Sequence, residues 1–342
     1  MNWLKSKFYK KFRLKNHLTS LSILNSKTPG YKPFLLLFPS LLTITMFTII
    51  PFILVISDSF KIKTGFVASD FAFGTENYTE VFNHIHFRIG MRNSILYSVV
   101  ALPISLVFSL LISSAIVHVI RKWSQGFWQT IFFLPYVTSG IAVSVTFFYL
   151  FDSQTGMINN FFGISTPWLN SGDTSSWYPF VAILANGVWH NLAFQVLILT
   201  GAMLSINKTL YKSASIDGSY KLNQFFSITL PSIKNQLSFL FTVGIIGGIK
   251  VFPLALFNND ADSAINNGGS TIMLFLYRAV QHAEFEKAGA ASVLLFLIGV
   301  LVSFTIKKTV SISYNLSTTL GVKHVSNKIT SQTKVSKAFF KL

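Results

Sequence analysis

The sequence predicts an all-α, polytopic membrane protein with about six transmembrane helices and both termini in the cytoplasm. Three observations carry that reading. Half of the 342 residues are hydrophobic and only 11% are charged, against about 25% in an ordinary soluble domain. Six apolar runs are long enough, at about 20 residues, to cross a hydrocarbon layer about 30 Å thick. The basic residues are unevenly divided between the segments that join those runs.

The runs cover 34–56, 94–120, 127–151, 180–206, 236–257 and 288–306. Lys250 is the only charge in any of them. With six spans, the N-terminal tail, the loop after span two, the segment after span four and the C-terminal tail share one side. Together they hold 21 of the 28 basic residues and a single acid, Asp217. Cytoplasmic loops carry the excess of Lys and Arg, so these segments are expected inside. The chain then divides into a basic cytoplasmic tail over 1–33, a six-helix membrane domain over 34–308, and a basic polar cytoplasmic tail over 309–342.

In the first tail, Trp3, Leu4, Phe8 and Phe12 recur at helical spacing among lysines. That pattern suits an interfacial helix on anionic lipid, and a disordered basic tail is the other reading. The outer loops, 58–92, 152–179 and 258–287, are longer than simple turns. The net charge of +17 is spread over four membrane-flanking segments, a pattern for topology and anionic lipid rather than nucleic acid. The absence of cysteine excludes disulfides and thiolate metal sites.

The most informative stretch is 210–231, LYKSASIDGSYKLNQFFSITLP, a polar interruption between spans four and five. Apolar positions at helical spacing precede Gly218, and Phe225, Phe226, Ile228 and Leu230 follow it. This reads as a short helix, a glycine-permitted turn and a second short helix closed by Pro231. Asp217 is expected to cap the second helix through its carboxylate.

The stretch resembles the cytoplasmic loop of binding-protein-dependent ABC importer permeases of the sugar and glycerol-phosphate type. Their pattern is Glu-Ala-Ala, three residues, Gly, then Ile-x-x-Pro. Here Lys212-Ser213-Ala214, Asp217-Gly218 and Ile228 to Pro231 occupy those places. The resemblance extends to Asn77-Tyr78 and Asn93 around span two, Leu134-Pro135 in span three, Trp189 in span four and Gly289-Ala290-Ala291-Ser292 at the last span. Before the hairpin, Ile206 is kept, while Met203 and Asn207 replace the Leu and Pro of the pattern. The likeness covers roughly 34–308.

The resemblance implies one half of the membrane channel of an ATP-driven importer in a bacterial inner (cell) membrane. It implies ABC ATPase subunits, a second homologous permease and an extracellular substrate-binding protein as partners, together with the bilayer and no nucleic acid. The hairpin over about 208–231 would dock on the ATPase, with Tyr211 and Ala214 at the contact and Gly218 at the turn. Lys212 reverses the charge of the family's Glu. A sugar is the expected cargo, with glycerol phosphate or another polyol phosphate next.

No phosphate-binding loop, zinc-protease motif or nucleophile elbow occurs. The chain is therefore expected to be no enzyme and to bind no cofactor, ATP and Mg lying on the partner. His84 and His86 lack a clear third ligand and read as loop residues. Inside span four, His190, Asn191 and Gln195 are polar groups in an apolar setting, which marks them as candidates for a substrate path. Hydrogen bonding to cargo hydroxyls and bonding between helices are both open to them. Lys250 either snorkels or meets an anionic cargo. The rival class is an ion-coupled secondary transporter or channel. It is expected to show intramembrane acids or an inverted repeat, and neither is visible.

Overall fold

The structure is a computed structural model that describes residues 31–63 and 71–308. The first tail, with its two readings as an interfacial helix or a disordered basic segment, and the basic polar C-terminal tail lie outside the described residues. The chain divides into two units, Met1–Val55 and Ile56–Leu342.

The first unit consists, in its described part, of a nearly continuous apolar helix whose last residues, 56–59, already belong to the second. Helix α1 (Tyr31–Ile44) passes through a π-helical turn, Thr45–Ile49, into α2 (Ile50–Ser59). The π turn has a local cause. Pro51 has no amide hydrogen, and its ring would collide with the carbonyl four residues earlier, so the helix widens just ahead of it. The whole stretch Pro33–Ser59 is apolar enough to cross a membrane, and none of its most apolar window is buried within the chain.

The second unit begins with a small hairpin, β1 (Lys61–Lys63) against β2 (Phe71–Phe73), antiparallel with Ile62 opposite Ala72. It is a minor departure from the all-α expectation. Helix α3 (Glu76–Asn83) follows. Here Asn77 is buried and donates through Nδ2 to the carbonyls of Ser59 (3.1 Å) and Lys61 (2.7 Å). The Tyr78 hydroxyl shares a 2.7 Å hydrogen bond with Ser59 Oγ.

Helix α4 (Ile85–Val117) is the axis of this unit. His84 caps it, its ring accepting from the His86 amide. One face of α4 is small: Ser94, Ser98, Ala101, Ser105, Ser109 and Ser113 are all buried. Small side chains let helices approach closely where no hydrophobic force separates lipid from protein. Against this face pack α8 (Tyr178–Leu204) and α12 (Lys234–Ile249). Contact there is tight enough that a β-carbon on Gly187 would fall 1.7 Å from Tyr97 Oη. One on Gly248 would fall 2.8 Å from Ser98 Cα.

Two expected spans come out differently. Span three is not one rod: α5 (Lys122–Val137) and α6 (Gly140–Leu150) meet at 90° across Thr138 and Ser139. Pro135 weakens the helix just before the bend by removing an amide donor, and Gly140 restarts the next one. Span five is shorter than its apolar run. Helix α12 ends at Ile249 after 16 residues, and the chain continues into a 3₁₀ turn at Leu254–Phe257. Among the described residues, four helices are long and apolar enough to cross a membrane, or five if the bent pair counts as one. The last is α15 (Phe285–Lys308).

The loops are built rather than loose. Helix α7 (Met157–Phe162) presents Asn159, whose side chain binds the carbonyls of Ser153 and Thr166 and accepts from Trp168 Nε1 at 2.7 Å. Helices α13 (Ala261–Asn266) and α14 (Ile272–Gln281) carry buried Ala264, Ile265, Ile272 and Leu274. Asn93 ties this region to α4, donating to the carbonyls of Gly268 (2.9 Å) and Ser270 (2.8 Å). The Ile272 amide donates to Ser94 Oγ. Asn77, Tyr78 and Asn93 therefore act as internal stitches.

Candidate functional site: an exposed hairpin and a polar cavity

The segment between α8 and α12 folds as a helical hairpin. Asn207, which stands where the family pattern has Pro, caps the first arm, its Oδ1 accepting from the Thr209 amide at 3.0 Å. The arm is α9 (Lys208–Ile216). Gly218 has φ +76°, a left-handed conformation that glycine adopts without strain. Around it the Ser219 amide reaches back to the Ala214 carbonyl (2.9 Å) and the Gly218 amide to the Ser215 carbonyl (3.2 Å). That pair of bonds is a Schellman ending, which satisfies carbonyls a helix end would leave open. The second arm runs through α10 (Lys221–Gln224), a π turn at Phe225–Thr229 and α11 (Leu230–Ser232). Pro231 follows this π turn as Pro51 follows the first, for the same steric reason.

Asp217 does not cap the second helix. It is the C-terminal cap of α9, and the second arm starts at Tyr220 with no side-chain cap, because the Schellman turn turns the chain before Asp217 can reach it. Tyr211 is half-buried, and its hydroxyl shares a 2.8 Å bond with Thr229 Oγ1, bracing the two arms. Ala214 is half-buried as well. Gln224 adds a second brace, donating to Ser215 Oγ and to the Ser219 carbonyl. Lys212 and Asp217 are exposed. What the sequence reading missed is the apolar surface at the turn: Ile216 (86% exposed), Tyr220 (84%) and Leu222 (72%). Their signal was available, since three large apolar residues crowd within four positions of a glycine turn.

The second feature is a cavity of about 790 Å³ bounded by α4, the α5–α6 bend, α8, α12 and the stretch after α12. Its polar lining includes Tyr97, Ser139, Ser144, Asn186, His190 and Asn191. Among the described residues, no Lys, Arg, Asp or Glu lines it. His190 and Asn191 are half-buried, and Asn191 is hydrogen-bonded to Tyr97. Asn186 lies one helical turn before His190 on the same face, and its buried Nδ2 has no hydrogen-bond partner among the described residues. It was legible as another polar residue within span four.

The four residues grouped as a substrate path do not stay together. His190 and Asn191 face the cavity. Gln195 reaches its wall but is 4% exposed, with Nε2 donating to Ser105 Oγ (3.0 Å) and Oε1 accepting from Ser109 Oγ (2.8 Å). Its amide is a bond between α8 and α4. Lys250 is absent from the cavity, because α12 ends beside it and the side chain lies in a separate groove against α15.

An apolar helical domain with a capped, exposed hairpin and a polar cavity among its helices fits a transport permease. Comparison with known proteins gives the family. The chain is 47% identical over 285 residues to the probable ABC transporter permease protein MG188 of Mycoplasma genitalium, covering 83% of this chain and 87% of that one. It is 27% identical to the sn-glycerol-3-phosphate transport system permease protein UgpA of Pectobacterium atrosepticum, over 79% of this chain and 90% of that one. Among solved structures, a chain of a bacterial alginate ABC transporter in complex with an alginate pentasaccharide-bound periplasmic protein shares the fold. It aligns at TM-score 0.66 and 21% identity over 86% of this chain and 95% of that chain. No family model matches. The protein belongs to the ABC transporter permeases.

Proposed function

We propose that this chain forms half of the translocation path of an ATP-driven importer in a bacterial cell membrane and takes its energy from a separate ATPase. The observation that carries the coupling role is the hairpin: a turn locked by Gly218 that holds Ile216, Tyr220 and Leu222 out in water. Exposed aromatic and aliphatic anchors on a rigid scaffold are what a docking partner buries. Six membrane crossings, the fifth over the apolar run 236–257, put both tails and the hairpin in the cytoplasm with the basic residues. A second permease completes the channel, and an external binding protein delivers the cargo, as the periplasmic protein in the alginate complex suggests by analogy.

The cargo class is a sugar or a polyol, including polyol phosphates such as the glycerol phosphate named for one relative. The cavity supports hydroxyl recognition through Asn186, His190 and Asn191. An ion-coupled mechanism is not favoured by the family, nor by a cavity without a carboxylate.

The test is retention of the ATPase. Gly218→Val places a β-branched residue at positive φ, at a cost of about 1–2 kcal/mol or more. Detergent-purified complexes carrying it are expected to lose the ATPase subunits and cargo uptake, with the permease still present in the membrane. Normal assembly and uptake by that variant sink the docking reading.

A further inference from the structure

A second groove, of about 610 Å³, lies between α12 and α15 and is lined by Ile245, Ile249, Phe296, Gly299 and Val300, with Lys250 and Lys307 as its charged groups. Among the described residues, no acid lines it and Lys250 forms no ion pair. Lys250 is exposed.

The depth of this lysine is the informative quantity. Ile249 lies beside Gly299: a β-carbon added to the glycine would sit in ordinary van der Waals contact with Ile249 Cγ2, at 4.0 Å. Gly299 stands well inside the 24-residue helix α15. At about 1.5 Å per residue it is about 21 Å from the Phe285 end and about 14 Å from the Lys308 end. Lys250 therefore enters the groove at a depth where an ammonium is costly and a partner charge is the usual resolution. Neither end of α15 is within reach of a lysine stem from there, which argues against snorkelling.

We infer that this groove seats a transmembrane helix of a different permease chain, one that sets a carboxylate against Lys250. The inference rests on the reading of this chain as half of a two-permease channel. A second copy of this chain does not fit. The acids in its described spanning helices are Asp58 and Glu286, both within two residues of a helix end and far from mid-depth. A phospholipid does not fit either, because its phosphate lies at headgroup level and its acyl chain would face the ammonium. Gly299 and Ser303, one turn apart on the groove wall, leave room for a helix backbone to approach.

The experiment uses the full-length chain in its native membrane, with a photoactivatable benzophenone side chain at Val300, an exposed groove residue. Illumination is expected to give an adduct with a second, non-identical membrane chain. Mass spectrometry is expected to place the crosslink in an apolar segment that contains Asp or Glu. Lys250→Met is expected to lower the adduct yield about tenfold and Lys250→Arg to keep it, and charge exchange between Lys250 and the partner's acid to restore it. An adduct with lipid only, with a second copy only, or none at all overturns the inference, as does an adduct indifferent to Lys250→Met. ATPase retention is read in the same preparation. An ATPase present without the adduct sinks the groove inference alone, whereas an ATPase absent from the unsubstituted chain sinks the permease reading and this inference with it.

Discussion

The hairpin and the cavity are two polar regions of one membrane protein, built in opposite ways. Every bond that shapes the hairpin joins residues within about one and a half dozen positions of each other: Asn207 to Thr209, Ser219 to Ala214, Tyr211 to Thr229. The cavity is drawn from α4, the α5–α6 bend, α8, α12 and the stretch after α12, and its walls are held by bonds across 80 to 90 residues, such as Gln195 to Ser105. A locally closed motif can be displayed in water and pressed on by a partner without the rest of the fold rearranging. A cavity assembled from distant segments changes shape whenever those segments move. This contrast suits a device that receives force at one place and alters access at the other.

That contrast can be broken or sharpened by substitution. The largest expected effect is at the hairpin surface. Replacing Ile216 and Leu222 together by Ser is expected to cut ATPase retention by about tenfold or more, with the melting temperature of the isolated permease unchanged. A fall in melting temperature would mean that these side chains are buried within the chain and would erase the distinction. Next in size is Gly187→Ala. It drives a β-carbon into Tyr97 and is expected to destabilise the α4–α8 contact by about 1–3 kcal/mol, read as a lower melting temperature in detergent.

Gln195→Leu tests the interhelical role with a smaller expected loss of about 1 kcal/mol. Cargo affinity is expected to stay within about twofold of the unsubstituted chain, since the amide bonds α4 rather than the cavity space. A large affinity loss at unchanged stability would return Gln195 to the substrate path. The smallest effect concerns pH. The Arg278 guanidinium beside Asp262 holds that carboxyl below its ordinary range. A depressed carboxyl stabilises the fold above its unfolded-state titration and loses that contribution as pH falls through the folded one. Asp262→Asn is therefore expected to flatten the acid limb of the stability curve below about pH 4, and only slightly, because the pair is partly exposed.

Some of this was legible before any fold was known. Gly218 was readable as the turn because a glycine flanked by helical periodicity and followed by a proline has few other uses. Its Schellman bonds follow from the backbone alone. Asp217 misled because a carboxylate beside a turn suits either helix end, and only the path of the chain chooses between them. His190 and Asn191 were visible as polar residues in an apolar run, but such residues look alike whether they face a cavity or a neighbouring helix. Gln195 and Lys250 were separated from them by the packing of α8 on Ser105 and Ser109 and by the early end of α12.

The sequence by itself determined what depends on composition, short spacing and the cost of burying charge: a membrane-spanning helical chain, the distribution of its basic residues, and a glycine-turned hairpin between its fourth and fifth apolar runs. Tertiary structure alone decided where the third span bends, which polar groups look into shared space, and which groove Lys250 lines. The physical reason is range. Backbone propensity and solvation act on neighbours along the chain, whereas a cavity or a groove exists only once distant helices have packed against each other.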